Sequence, residues 1–303
     1  MNPRDRAASI KQRLLNGRPA SEDFNTTLTR YGGARLLYRL SVSPHRERFV
    51  LKGAVLFSLW SGTPHRATRD VDLLGFGDPA IGAIEAIFRE LCDVEADDGL
   101  AFSRDSVKGE EIRGGQEYDG VRLRLEARLG QARIRLQVDV GFGDAVVPAP
   151  ELIEVPSLDG LPAARLRAYP RDAVIAEKLH ALVVLRMANT RMKDFYDLWS
   201  LAQQYEFDAD QLANSIAATF ERRRTEVPAE LPIGLSPAFA DDAEKAAQWR
   251  AFVQRTGATD APEIADALAV LRAFLLPVLQ RARTRDGAPE RWAAGGPWRR
   301  GRS

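Results

Sequence analysis

Apolar and polar positions alternate strictly through the middle of the chain. Val121, Leu123, Leu125, Ala127 and Leu129 interleave with Arg122, Arg124, Glu126 and Arg128. After Gly130-Gln131 the alternation resumes, with Ile134, Leu136, Val138 and Val140 on one side and Arg133, Arg135, Gln137 and Asp139 on the other. A period of two in two runs joined at a glycine predicts a β-hairpin with one buried face. Upstream the period is mostly helical. Residues 3–16 and 22–40 predict helices, the second carrying Phe24, Leu28, Tyr31, Leu36, Leu37 and Leu40, with Gly32-Gly33 weakening its middle. Phe49 to Leu59 reads as a turn or strand entering a helix, and Arg69 to Leu74 as a short strand. A helix follows from about Ala80 to Leu91, with Ile81, Ile84, Ile87, Phe88 and Leu91 on one side.

A proline-rich link (Pro148, Pro150, Pro156, Pro162) leads to a helical second half, with helices expected at about 171–188, 191–204, 209–224, 241–256 and 262–284. From Asp286 onward Gly, Pro and Arg dominate, and a frayed tail is expected. The resulting division is 1–160, a core with N-terminal helices; 161–285, a helical C-terminal domain; and 286–303, a flexible tail. No internal repeat is evident.

Composition changes this picture little. The 303 residues, 45% hydrophobic and 28% charged, suit a globular chain with a substantial core. With 43 basic and 42 acidic residues, net charge makes no case for a general nucleic-acid coat. A polyanion site must come from local clustering. The single cysteine, Cys92, excludes an internal disulfide framework and fits a reducing compartment. No apolar run reaches the ~18 residues of a membrane-spanning helix, and the charged start from Met1 to Arg13 does not read as a signal peptide. A soluble cytoplasmic protein with no membrane partner is the expectation.

The chemistry resides in the acids. Asp70 and Asp72 stand two apart in a strand, so both side chains leave one face while Val71 and Leu73 leave the other. Two carboxylates so placed can hold Mg²⁺, which takes oxygen ligands and shares them with substrate phosphates. Asp139 lies on the polar face of the hairpin's second strand. If that strand adjoins the first, three carboxylates make a two-metal clamp for displacement at phosphorus. Asp-x-Asp alone is common by chance and reads equally well as a solvated strand edge. Upstream, however, Lys52-Gly53-Ala54 precedes a helix-like run, and a glycine turn feeding a helix suits phosphate binding by backbone N–H groups.

Further on, Val174, Ile175, Leu179, Leu182 and Leu185 form an apolar arc that contains Lys178, which must snorkel or meet an anion. Asp194 and Asp197 are three apart and hence helix neighbours. Asp194 also suits the electrostatics of a helix's first turn. Their order, rather than any one of them, points to phosphoryl chemistry.

Four blocks in this order resemble the AbiEii/AbiGii nucleotidyltransferase toxins, to whose broad group the mycobacterial MenT-type toxins belong. They are Phe49 to Ala54 with Arg69 to Asp72, Val138 to Asp144, Ala176 to Ala181, and Arg191 to Leu198. The resemblance implies an α+β, DNA polymerase beta-like nucleotidyltransferase core, a small mixed sheet flanked by helices, with a helical C-terminal part. It implies transfer of an NMP from an NTP with Mg²⁺ or Mn²⁺, to an acceptor that in some members is the tRNA 3′ end. A cognate antitoxin and a toxin–antitoxin or phage-defence role are implied in the same way. By position, Asp70 and Asp72 would bind metal with Asp139 as third carboxylate. Lys52, Gly53 and Ala54 would form the phosphate turn, supported by Thr68. Lys178 would contact the triphosphate, and Asp194 or Asp197 would be the late acidic residue. Ala54 departs from the pattern, since the family often has Ser or Gly there.

Two rivals remain: a phosphotransferase passing the γ-phosphate to protein or small molecule, and an inactive nucleotide- or RNA-binding module. Arg122, Arg124, Arg128, Arg133 and Arg135 on the hairpin, with Arg222-Arg223-Arg224, offer basic groups for RNA phosphates or for plain solubility.

Overall fold

The computed structural model describes residues 3–18, 22–62, 70–112, 120–157, 160–288 and 290–300. The chain divides into two compact units, Met1–Gly143 with Glu151–Ala168, and Asp144–Pro150 with Tyr169–Ser303.

The first unit contains helices α1 (Pro3–Gly17), α2 (Phe24–Val42), α3 (Val55–Ser61) and α4 (Ile81–Cys92). Its strands are β1 (Phe49–Lys52), β2 (Asp70–Gly75), β3 (Leu100–Ile112), β4 (Gly120–Leu129), β5 (Ala132–Phe142), β6 (Glu151–Val155) and β7 (Ala164–Ala168). These strands form one mixed sheet in the order β3-β4-β5-β2-β1-β7-β6, with β2–β5 and β1–β7 parallel and the other pairs antiparallel. The α+β expectation of a mixed sheet flanked by helices is met.

The expected hairpin is β4–β5, and its apolar residues Leu123, Leu125, Ile134, Leu136, Val138 and Val140 are buried. Helices α2 and α4 pack on the sheet. Gly32, expected to weaken α2, has a specific use. A Cβ there would lie 3.2 Å from both Ile134 Cγ2 and Leu136 Cδ2, so the missing side chain lets the helix sit close to the sheet. Beside the apolar layer lies a buried ion cluster. Asp98, fully buried, accepts from Arg35 Nε at 2.9 Å and from Arg39 Nη1 at 2.6 Å, and also from the Leu100 amide at 3.1 Å. It fastens the turn before β3 to α2.

The second unit contains α5 (Arg171–Leu185), α6 (Met192–Gln204), β8 (Phe207–Asp208), α7 (Ala209–Arg222), α8 (Pro237–Ala240), α9 (Ala243–Thr256), α10 (Ile264–Thr284), β9 (Glu290–Trp292) and β10 (Trp298–Arg300). Helix α5 packs on α6 and α7, and α10 on both of those. α7 and α9 begin at Asp208 and Asp242, whose carboxylates accept from first-turn amides.

The tail expected to fray is ordered where it is described. β9 and β10 pair antiparallel with each other, and β9 with β8. Trp292 is buried at 2% exposure, and its indole N–H donates to the Ala202 carbonyl at 2.7 Å. Phe207, Phe274 and Trp298 surround it. Two tryptophans supply the apolar area that a Gly-, Pro- and Arg-rich composition conceals.

Candidate active site

Strand register builds the candidate site of the first unit. Lys52 on β1 stands opposite Asp72 on β2, Asp72 opposite Asp139 on β5, and Asp139 opposite Arg122 on β4. Directly opposed residues share a face, so four charged side chains form one row across four adjacent strands. Asp70 joins the same face two residues earlier, opposite Gln137. Val71 and Leu73 leave the opposite face and are buried, whereas Asp70 is exposed and Asp72 half-buried. The juxtaposition of Asp139 with the Asp70/Asp72 strand, conditional in the sequence, is present.

Gly53 closes one end of the row. Its φ is +80°, a left-handed conformation that L side chains rarely adopt, and a Cβ there would stand 1.9 Å from Asp72 Oδ2. Only glycine lets this turn and the Asp72 carboxylate share the same small volume. Ala54 is buried and is the N-cap residue of α3, a helix of seven residues with no side-chain cap. Thr68 and Arg69 lie outside the described residues.

Asp139 is in place, but its carboxylate is already engaged. Oδ1 accepts from Arg122 Nε at 2.9 Å and from Gln137 Nε2 at 3.2 Å, while Oδ2 accepts from Arg122 Nη2 at 2.7 Å. This fork-to-carboxylate pair is the strong, planar kind. Among the described residues, no group of three or more His, Cys, Asp or Glu side chains could hold a metal ion. The donor set therefore fits a hard cation at the Asp70/Asp72 pair, completed by substrate phosphates, better than a cage of three protein carboxylates.

The second unit carries the other candidates. Lys178 on α5 meets an anion instead of snorkelling: its Nζ lies 2.6 Å from Asp194 Oδ1 and 2.9 Å from Asp197 Oδ2. Both carboxylates are fully buried, and Arg191 Nε stands 2.7 Å from the other oxygen of Asp194. Burial opposes the lysine's charge, yet the two carboxylates outweigh it and its pKa is raised. Asp194 and Asp197 are three apart on α6, as their spacing required, and both face this one ammonium group.

The arginines of the hairpin do not form a bare basic stripe. Arg122 pairs with Asp139, Arg124 with Glu110, and Arg133 with Glu126. In the Arg222-Arg223-Arg224 run, Arg223 donates to Asp144 at 2.8 Å and contacts His180 Nδ1 at 3.3 Å. The alternation showed these arginines but not their partners, because cross-strand pairing depends on register. Arg122, read from the sequence only as a basic group of the hairpin, and Arg191 are paired with Asp139 and Asp194, partners that sequence reasoning did not assign. The one usable signal was that Arg122 and Asp139 share a polar face of the same hairpin.

The sequence model of one family, described as nucleotidyl transferase AbiEii toxin of the type IV toxin–antitoxin system, matches residues 35–270. The chain belongs to the AbiEii family. This AbiEii member is therefore a nucleotidyltransferase, with an NTP as substrate and a toxin–antitoxin setting. Among solved structures, JHP933 from Helicobacter pylori is similar at 15% identity, with 83% of this chain and 90% of that one covered and a TM-score of 0.44. A candidate nucleotidyltransferase from H. pylori is similar at 14% identity, with 89% and 100% covered and a TM-score of 0.48. No curated protein matches the chain by sequence. No helix among the described residues is long and apolar enough to cross a membrane.

Proposed function

We propose that this AbiEii member moves a nucleoside monophosphate from an NTP to a hydroxyl of RNA, with the 3′ end of tRNA as the acceptor, and that it works in the cytoplasm as a toxin restrained by a cognate antitoxin. The observation that carries the chemistry is the single row Lys52–Asp72–Asp139–Arg122, with Asp70 beside it on the same face. Asp70 and Asp72 would hold Mg²⁺ or Mn²⁺, which when bound supplies charge neutralisation for the triphosphate and polarisation at the α-phosphorus.

The chain's own groups do the rest. The acceptor oxygen forms a bond to the α-phosphorus as the bond to the pyrophosphate oxygen breaks. By the family resemblance Lys178, which pairs with Asp194 and Asp197, would offset charge on the departing pyrophosphate. The Gly53 turn seats the phosphates against Asp72, and Asp139, held in one orientation by Arg122, positions the acceptor hydroxyl. Little covalent work is asked of the protein in such a transfer.

The RNA acceptor is supported by the family's toxin character rather than by the hairpin arginines, three of which are matched by carboxylates. The test is incubation with Mg²⁺, total RNA and each α-³²P-labelled NTP in turn, beside Asp70→Ala. Label on a discrete RNA band, absent from the variant, supports the reading. Release of NDP without pyrophosphate would replace it with phosphotransfer.

A further inference from the structure

Two-metal transferases place their ions ~3.5–4 Å apart, and each ion needs carboxylate oxygens turned toward it. In this site the third carboxylate is turned to a guanidinium. We propose that Arg122 takes the place of a second metal ion, so that the site is built for one divalent cation at Asp70 and Asp72 and a fixed organic cation on Asp139. The inference deepens the nucleotidyl-transfer reading and rests on it.

Two observations support it. First, the pairing is fixed by the backbone. Arg122 and Asp139 are directly opposed in the β4–β5 hairpin, so the contact follows from strand register and not from a long side chain finding a distant partner. Second, both oxygens of Asp139 are engaged, Oδ1 by Arg122 Nε and Gln137 Nε2 and Oδ2 by Arg122 Nη2.

Along the row, Arg122 is the partner of Asp139, while Asp70 and Asp72 stand on the neighbouring strand with Lys52 across from Asp72. A second divalent ion at Asp139 would have to displace the guanidinium or sit against it. An arginine in this place is tethered to the chain and, unlike a metal ion, does not exchange with solution. A guanidinium has five N–H donors in a rigid fork, so after two are spent on Asp139 others remain for a phosphate oxygen of the substrate.

The test counts ions directly. The full chain is mixed with Mn²⁺ and, in turn, the α,β-methylene analogue of each NTP, and bound Mn²⁺ is followed by electron paramagnetic resonance. The expected result for the wild type is one bound Mn²⁺ per chain with an uncoupled six-line spectrum, and none for Asp72→Ala. Arg122→Met is expected to double the bound Mn²⁺ and show a spin-coupled pair, whereas Arg122→Lys stays at one. A coupled pair in the wild type would overturn the inference by itself and needs no variant to fold. A single ion retained in folded Arg122→Met would overturn it too. In the parallel ³²P assay, transfer by a wild type holding two ions leaves the nucleotidyl-transfer reading standing while this inference falls. Absence of transfer with every NTP, whatever the ion count, removes both.

Discussion

Asp72 rests against the Cα of Gly53, and that contact decides what substitution can do there. Gly53→Ala would place a methyl group within 1.9 Å of Asp72 Oδ2 at a backbone φ of +80°, so the carboxylate must move. Transfer should fall by about 10²-fold, the cost of misplacing a reacting group by ~1 Å, while the melting temperature drops only slightly. Asp72→Ala should remove activity by at least ~10³-fold without unfolding the chain, since the residue is half-buried. Steady-state kinetics beside thermal melts would check both. Lys178→Ala is a different case, because it leaves Asp194 and Asp197 buried without their ammonium partner. A loss of ~3–5 kcal/mol is expected, measurable by urea unfolding, so lost activity in that variant says little about catalysis unless stability is measured as well. At this scale the sequence was informative about residue type and spacing: Asp70, Asp72, Gly53 and Lys178 were all visible. What it could not supply was partnership. Arg122 looked like any basic residue on a wet strand face until β4 was placed in register beside β5.

The elements legible in advance were those with a strong period and a face to bury. The hairpin was plain because its buried residues alternate without a break, and α2, α4 and the helices of the second unit other than the four-residue α8 emerged within a few residues. β3 was missed because it is an edge strand in which only Leu100 and Val107 are well buried, so its thirteen residues show no alternation. β6, at the other edge, is hidden for the same reason. The buried salt cluster was equally out of reach, since Asp98 and its two arginines are some sixty residues apart. Asp98→Asn should cost ~3–5 kcal/mol by leaving paired arginines uncompensated in the core. Trp292→Ala should cost ~3–5 kcal/mol by emptying the aromatic cluster around Phe274. Chemical denaturation of the two variants measures these losses, and a near-wild-type midpoint for Trp292→Ala would show that β9 contributes little.

At the scale of the whole molecule, His180 makes a contribution to stability that depends on pH. Burial first, and then the neighbouring charge of Arg223, lower its pKa to about 4. Its Nδ1 faces Arg223 and its Nε2 donates to Thr225 Oγ1 at 3.0 Å, so the neutral ring with the proton on Nε2 is the form that fits. Since the folded pKa lies below the unfolded value of 6.5, the unfolded chain binds the proton more readily. The contribution is complete above pH ~6.5 and is lost as pH falls toward 4. Melting temperatures between pH 8 and 4.5 should fall for the wild type and fall less for His180→Asn.

The path of the chain has a consequence for anyone who would divide it. Residues Asp144–Pro150 belong to the second unit although the stretches on both sides belong to the first, and Arg223 grips Asp144 from far along the sequence. A cut after residue 168 would strand that heptapeptide with a body to which it does not belong. The two pieces should behave as obligate complements, insoluble when produced singly and recovered together when co-expressed, so gene fusion or splitting at that point offers no simple modular inheritance.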